Sequence, residues 1–135
     1  MPPCSPEGVA NWGACSSSQC EALILSNRTS SSFTCAGICC NATGAVIAVL
    51  LDGNGLRGEL PTELGLATAL QALNTYNTSL SGSLPTQLGL ATALQILGTY
   101  STSLSGSLPT QLGLATALQY LNTAGTSLSG SLPTQ

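Results

Sequence analysis

Charge is almost missing from this sequence. Its 135 residues include five acidic and two basic side chains, and none of either sign occurs from Leu64 to Gln135. A chain with net charge −3 offers no footing for a phosphate backbone, which excludes nucleic acid as a partner. It also lacks the polybasic patch that draws a protein to anionic lipid. Histidine is absent altogether, so a serine or cysteine nucleophile would have no imidazole base. Long apolar runs are missing too: the longest, Ala45 to Leu51, is far too short to span a bilayer, so no direct membrane insertion is expected. No basic start followed by an apolar stretch opens the sequence, so a leader has been removed or the sequence is an excerpt from a longer chain.

Cysteine, by contrast, is concentrated. Cys4, Cys15, Cys20, Cys35, Cys39 and Cys40 all fall in the first third. An even number clustered at one end points to a disulfide-stapled module made in an oxidising compartment. Without a C-x-x-C pair or a histidine a zinc site is hard to build, and no metal or cofactor is expected. Three N-x-[S/T] triplets, at Asn27, Asn41 and Asn77, fit a secreted, glycosylated chain.

The rest of the sequence is a repeat. NTYNTSLSG returns 24 residues later as GTYSTSLSG and again as NTAGTSLSG, each inside a unit reading LGLATALQ-x-L-x-T-x-x-T-S-L-S-G-S-L-P-T-Q. Pro61, Pro85, Pro109 and Pro133 carry the register back to a more divergent first copy, VIAVLLDGNGLRGELPTELG. A unit this short cannot bury its own apolar face, so successive copies must stack into a solenoid. Alternation around Leu73 and Thr75 predicts a short strand. SLSGSLP predicts a second extended segment closed by proline, and LGLATALQ the return across the back.

The pattern resembles plant-type leucine-rich repeats, L-x-x-L-x-L-x-x-N-x-L-S-G-x-[I/L]-P-x-x-L-G, best in the first copy at Val46, Val49, Leu51, Asn54, Leu56, Gly58, Leu60, Pro61, Leu64 and Gly65. Residues 1–44, with Trp12 and the cysteines, are similar to the cysteine-bearing cap of that family. The expected architecture is therefore a disulfide-rich cap over 1–44 and about four repeats over 45–135, the last incomplete. Two departures stand out. Thr75, Thr99 and Thr123 replace an interior leucine, and Thr78, Thr102 and Thr126 replace the asparagine that ties neighbouring backbones together. Buried hydroxyls must be bonded, so these threonines are expected to bond backbone carbonyls or to form ladders from copy to copy.

Two motifs that mimic chemistry dissolve in this frame. GNGLRG is a literal G-x-G-x-x-G after a strand, yet Pro61 opposes the helix a dinucleotide site needs, and no acid follows Glu63. Glu59 and Glu63 match Ser83 and Gln87 of the next copy, which marks them as ordinary outward positions rather than paired catalytic carboxylates. The expectation is a non-catalytic module.

The resemblance implies ligand docking on the inner, concave strand face. Candidate contacts there are Asp52, Asn74, Tyr76, Ile96, Tyr100, Tyr120 and Asn122, with Tyr76 and Tyr100 stacked, and the ligand a protein, peptide or glycan. An alternative is an ice-binding surface, because uncharged, threonine-rich, disulfide-capped solenoids resemble antifreeze proteins in style. Its candidates are the pairs Ser81/Ser83, Ser105/Ser107 and Ser129/Ser131, and the row Thr68, Thr92, Thr116. The sequence stops at SLPTQ, where the next LGLATALQ is expected, and an open solenoid end predicts end-to-end association.

Overall fold

The computed structural model describes residues 37–41, 43, 45–53 and 55–133. Each of the first three repeats contributes two short strands and one 3-10 turn, and the last contributes two strands. The strands are β1 (Gly37–Cys40), β2 (Val46–Leu50), β3 (Arg57–Glu59), β4 (Ala72–Asn74), β5 (Ser79–Gly82), β6 (Ile96–Gly98), β7 (Ser103–Ser107), β8 (Tyr120–Asn122) and β9 (Ser127–Ser129). They form a five-stranded sheet ordered β1-β2-β4-β6-β8 and a four-stranded sheet ordered β3-β5-β7-β9. All pairings are parallel except the first, where β1 runs antiparallel along the edge of β2.

The two sheets stack their copies differently. In the five-stranded sheet Ala72 faces Ile96 and Ile96 faces Tyr120, so copies 24 residues apart lie side by side. In the four-stranded sheet partners are 22 apart: Arg57 faces Ser79, Ser81 faces Ser103 and Ser105 faces Ser127. Identical residues of successive coils therefore lie side by side on one sheet only. SLSGS tolerates the two-residue slip because side chains alternate with a period of two, so leucine still points in and serine out.

Proline starts each back-side turn. Pro61, Pro85 and Pro109 sit in extended backbone ahead of 3-10 helices at Thr62–Leu66, Thr86–Leu90 and Thr110–Leu114. The glycine in each turn is what lets coils close up. A Cβ on Gly65 would overlap the Gln87 carbonyl oxygen, and one on Gly89 that of Gln111. Between sheets and turns runs one leucine core that includes Leu64, Leu70, Leu73, Leu88, Leu94, Leu97 and Leu104. Gly53, Gly55 and Gly58 of GNGLRG all have positive φ, and Gly58 lies within β3, so no helix starts there to receive a pyrophosphate.

The interior threonines do not form ladders between copies. Thr78, Thr102 and Thr126 each donate to the carbonyl three residues earlier in the same coil, at 2.8, 2.8 and 2.6 Å, to Thr75, Thr99 and Thr123. The bond closes a local turn, which is shorter than reaching the next coil. Thr99 makes a long contact of 3.5 Å to the Asn122 carbonyl. The Thr75 hydroxyl, fully buried, has no hydrogen-bond partner.

Candidate functional site

Three columns of side chains cross the outer face of the five-stranded sheet, one residue from each strand per column. The column Ala48, Ala72, Ile96, Tyr120 follows directly from strand register, as does Leu50, Asn74, Gly98, Asn122. The third, Asp52, Tyr76, Tyr100, Ala124, lies just past the strand ends, where the ladder continues. Gly53 donates to the Tyr76 carbonyl at 3.1 Å, Asn77 to that of Tyr100 at 3.2 Å, and Ser101 to that of Ala124 at 2.8 Å.

The first column is closed as far as Ile96, and Tyr120 at its end is half-buried. Ile96 is 5% exposed, and it packs in a second apolar cluster with Cys39, Ile47, Ala48, Leu50 and Ala72, flanked by Ala69 and Tyr120. The reading of Ile96 as a contact residue is therefore corrected: it lies on the outer side of the sheet but is buried there. Period-two alternation tells which side of the sheet a residue faces. It does not tell whether that side is wet, and a row of apolar neighbours keeps water out.

The third column carries the exposed chemistry. The Tyr76 and Tyr100 rings stack with centroids 4.6 Å apart and planes 6° from parallel. One strand spacing of about 4.8 Å explains this, because parallel register holds identical side chains at ring-stacking distance. The Asp52 carboxylate neighbours the Tyr76 phenol. Partial burial first, and then the neighbouring Asp52 carboxylate, hold the Tyr76 phenol well above its ordinary range. Tyr100 is raised as well, by burial first and then by Asp52 and Tyr120. Beside the stack, Asn122 donates from Nδ2 to the Tyr120 hydroxyl at 3.2 Å and accepts the Ala124 amide at 3.0 Å. The Asn74 amide oxygen fills the space that a Cβ on Gly98 would need.

No family model matches the chain, and no curated protein matches it in sequence. Its shape is well represented among solved structures. PEPR1, solved with AtPEP1, superposes with a TM-score of 0.68 at 29% identity over 72% of this chain and 14% of that one. The leucine-rich-repeat ectodomain of the Arabidopsis receptor kinase HAESA, solved with an IDA peptide hormone ligand, gives 0.63 at 31% identity over 83% of this chain and 19% of that one. The BIR3–SERK2 complex of Arabidopsis thaliana contains a chain 30% identical, with a TM-score of 0.50, over 78% of this chain and 70% of that one. This chain is a plant-type leucine-rich-repeat protein. It spans about one seventh of the length of PEPR1.

Within this leucine-rich-repeat solenoid the remaining candidates fall on two other faces. Ser81, Ser83, Ser105, Ser107, Ser129 and Ser131 are exposed on and beside the four-stranded sheet. Ser81 and Ser129 reach back to the carbonyls of Gly58 and Gly106, both at 3.4 Å. Thr68, Thr92 and Thr116 are exposed just after the 3-10 turns. Leu66, Leu90 and Leu114 stand beside them, 77%, 54% and 54% exposed, a row that alternation could not reveal because these residues lie in tight turns. The Leu two positions before each Thr was its available signal.

Cys39 and Cys40 are both disulfide-bonded. Cys4, Cys15, Cys20 and Cys35 lie outside the described residues, as does the sequon at Asn27. Asn41 is exposed, and its side-chain oxygen accepts from the Thr43 amide and hydroxyl and from the Ala45 amide. Asn77 is exposed in left-handed backbone, next to Tyr76.

Proposed function

We propose that this solenoid is an extracellular recognition module that holds a peptide or protein segment across Asp52, Asn74, Tyr76, Tyr100, Tyr120 and Asn122. The observation that carries the reading is the Tyr76–Tyr100 stack. Two rings immobilised against each other have already lost the rotamer freedom that binding would otherwise cost. Around them sit a carboxylate, Asp52, and a Tyr120–Asn122 pair with hydrogen-bonding capacity left over. Rigid tyrosines beside polar groups are the composition of interaction hot spots. The peptide hormone ligand in the HAESA structure favours a peptide or protein over a glycan.

A random-peptide display selection on the whole chain tests this. Binders should weaken by about tenfold or more in the Tyr76→Ala/Tyr100→Ala double variant, because hot-spot truncations each cost about 1–2 kcal/mol or more. Affinities that do not change in that variant, nor on Asp52→Ala or Tyr120→Ala, would move the site off this face.

The paired rows Leu66/Thr68, Leu90/Thr92 and Leu114/Thr116 favour a second reading, adhesion to ice. They present uncharged methyl and hydroxyl groups at every coil, where serine alone would be too polar. An ice-recrystallisation assay that stays blank at high protein concentration disposes of it.

A further inference from the structure

We propose that the Tyr76–Tyr100 stack is an oxidative crosslinking site, at which a one-electron oxidant of the peroxidase class joins the two rings, ortho carbon to ortho carbon, as dityrosine and staples two neighbouring coils together. This chemistry is independent of any ligand that the face holds.

Proximity comes first. The ring centroids are 4.6 Å apart and the planes 6° from parallel. The two side chains leave equivalent positions of adjacent coils, tied by the Asn77 amide donating to the Tyr100 carbonyl. Corresponding carbons of the two phenols therefore lie about one strand spacing, about 4.8 Å, from each other. Turning each ring about its Cβ–Cγ bond brings two ortho carbons together with the backbone left in place. Both rings are half-buried, so part of the stack stays open to an oxidant. Tyr120 lacks this relationship. It stands on the next strand, level with Ile96 and so four residues, about 13 Å, short of the level of Tyr100, and its hydroxyl accepts from Asn122.

Competition for the oxidant is slight. From Ala45 to Gln135 the sequence contains no methionine, tryptophan, cysteine or histidine, so an electron drawn from the repeats comes from a tyrosine. Cys39 and Cys40 are disulfide-bonded, which places the chain where oxidants persist.

The step balances. Each phenol gives up one electron and one proton and becomes a phenoxyl radical whose unpaired spin is shared with its ortho carbons. The two radicals couple into one C–C bond, and each bonded carbon then loses its hydrogen as a proton while its ring oxygen regains one. Two hydrogens leave overall, and one hydrogen peroxide takes the two electrons and two protons and becomes two waters. The Tyr76 proton has a near acceptor in the Asp52 carboxylate, and that of Tyr100 goes to water. The product closes a loop of 24 residues, Tyr76 to Tyr100, in the unfolded chain, which restricts that state as a disulfide does.

The test is oxidation of the whole chain with a haem peroxidase and one equivalent of hydrogen peroxide. Dityrosine fluorescence should appear in a monomer lighter by two hydrogens, with a yield that does not change on tenfold dilution. Peptic digestion and mass spectrometry should recover one fragment that joins Tyr76 to Tyr100. Tyr100→Phe keeps a ring in the stack and should lower the fluorescence about tenfold, while Tyr120→Phe should leave it within about twofold. The crosslinked chain should unfold at a higher urea concentration than the Tyr100→Phe chain treated alike. Crosslinks found only between molecules, a Tyr100–Tyr120 product in equal amount, or tyrosines oxidised without coupling would each overturn the proposal. An unmoved urea midpoint in the crosslinked chain would overturn the staple.

Discussion

Tyr76 and Tyr100 lie one strand apart with their rings 4.6 Å between centroids and 6° from parallel, and the Asp52 carboxylate neighbours Tyr76. The pair exists because copies on this sheet stand in register. Had the two-residue slip of the other sheet applied here, Tyr76 would face a different residue and the rings would part.

Tyrosine ionisation is the direct probe of this contact. Tyr76 is held protonated first by burial and then by Asp52, so its absorbance change should come last in an alkaline titration. Near pH 11, where an ordinary phenol of pKa about 10 is mostly ionised, Tyr76 should still be neutral. A raised folded-state value means that the stabilisation is complete below the unfolded value of about 10 and is lost as pH climbs through the higher folded value. Asp52→Asn should bring the Tyr76 titration down toward the ordinary range. An unchanged titration curve would show that burial alone sets it.

The threonines of one coil should respond in opposite directions. Thr75→Val removes a buried hydroxyl with no partner and keeps the shape, so it should raise stability by about 1–2 kcal/mol. Thr78→Val deletes the 2.8 Å bond to the Thr75 carbonyl and should lower stability by about 1 kcal/mol. Urea midpoints at constant m-value would decide both.

Gly89→Ala should cost about 2–3 kcal/mol, since the new methyl group must displace the backbone of the next coil at Gln111. A thermal midpoint equal to that of the parent chain would mean that the coils separate easily.

Ser101 has a φ of 54° at the position that Gly53 and Gly125 occupy in other coils. Ser101→Gly should therefore stabilise by about 0.5–1 kcal/mol, the left-handed cost less the extra freedom of the unfolded chain. Asn77, at 53°, tolerates this region better, and Asn77→Gly should gain less. Equal gains at the two sites would contradict the argument.

Ile96→Ala should destabilise by about 2–5 kcal/mol and leave ligand affinity alone, because its side chain is buried in the second apolar cluster. Tyr100→Ala should do the reverse, with little loss of stability and a clear loss of binding. Paired denaturation and binding measurements separate the two.

The 24-residue period, read from Leu70, Leu94 and Leu118, was enough to establish a stacked solenoid, because no single unit can bury its leucines alone. Local alternation also located both strands and the Tyr76–Tyr100 neighbourhood. Periodicity is blind to three things that depend on how coils lean on one another. Whether Ile96 is dry is set by its neighbours across strands, not by its own side of the sheet. The 22-residue pairing of the serine strands is equally compatible with SLSGS as a 24-residue one, since a slip of two leaves the inward and outward sets unchanged. The hydroxyls of Thr78 and Thr102 turned to the nearest carbonyl in their own coil, while Thr75 was left unpaired, a choice among acceptors that exists once the backbone is folded. Repetition along the chain dictates that neighbours stack. The angle and offset at which they meet come from packing in three dimensions.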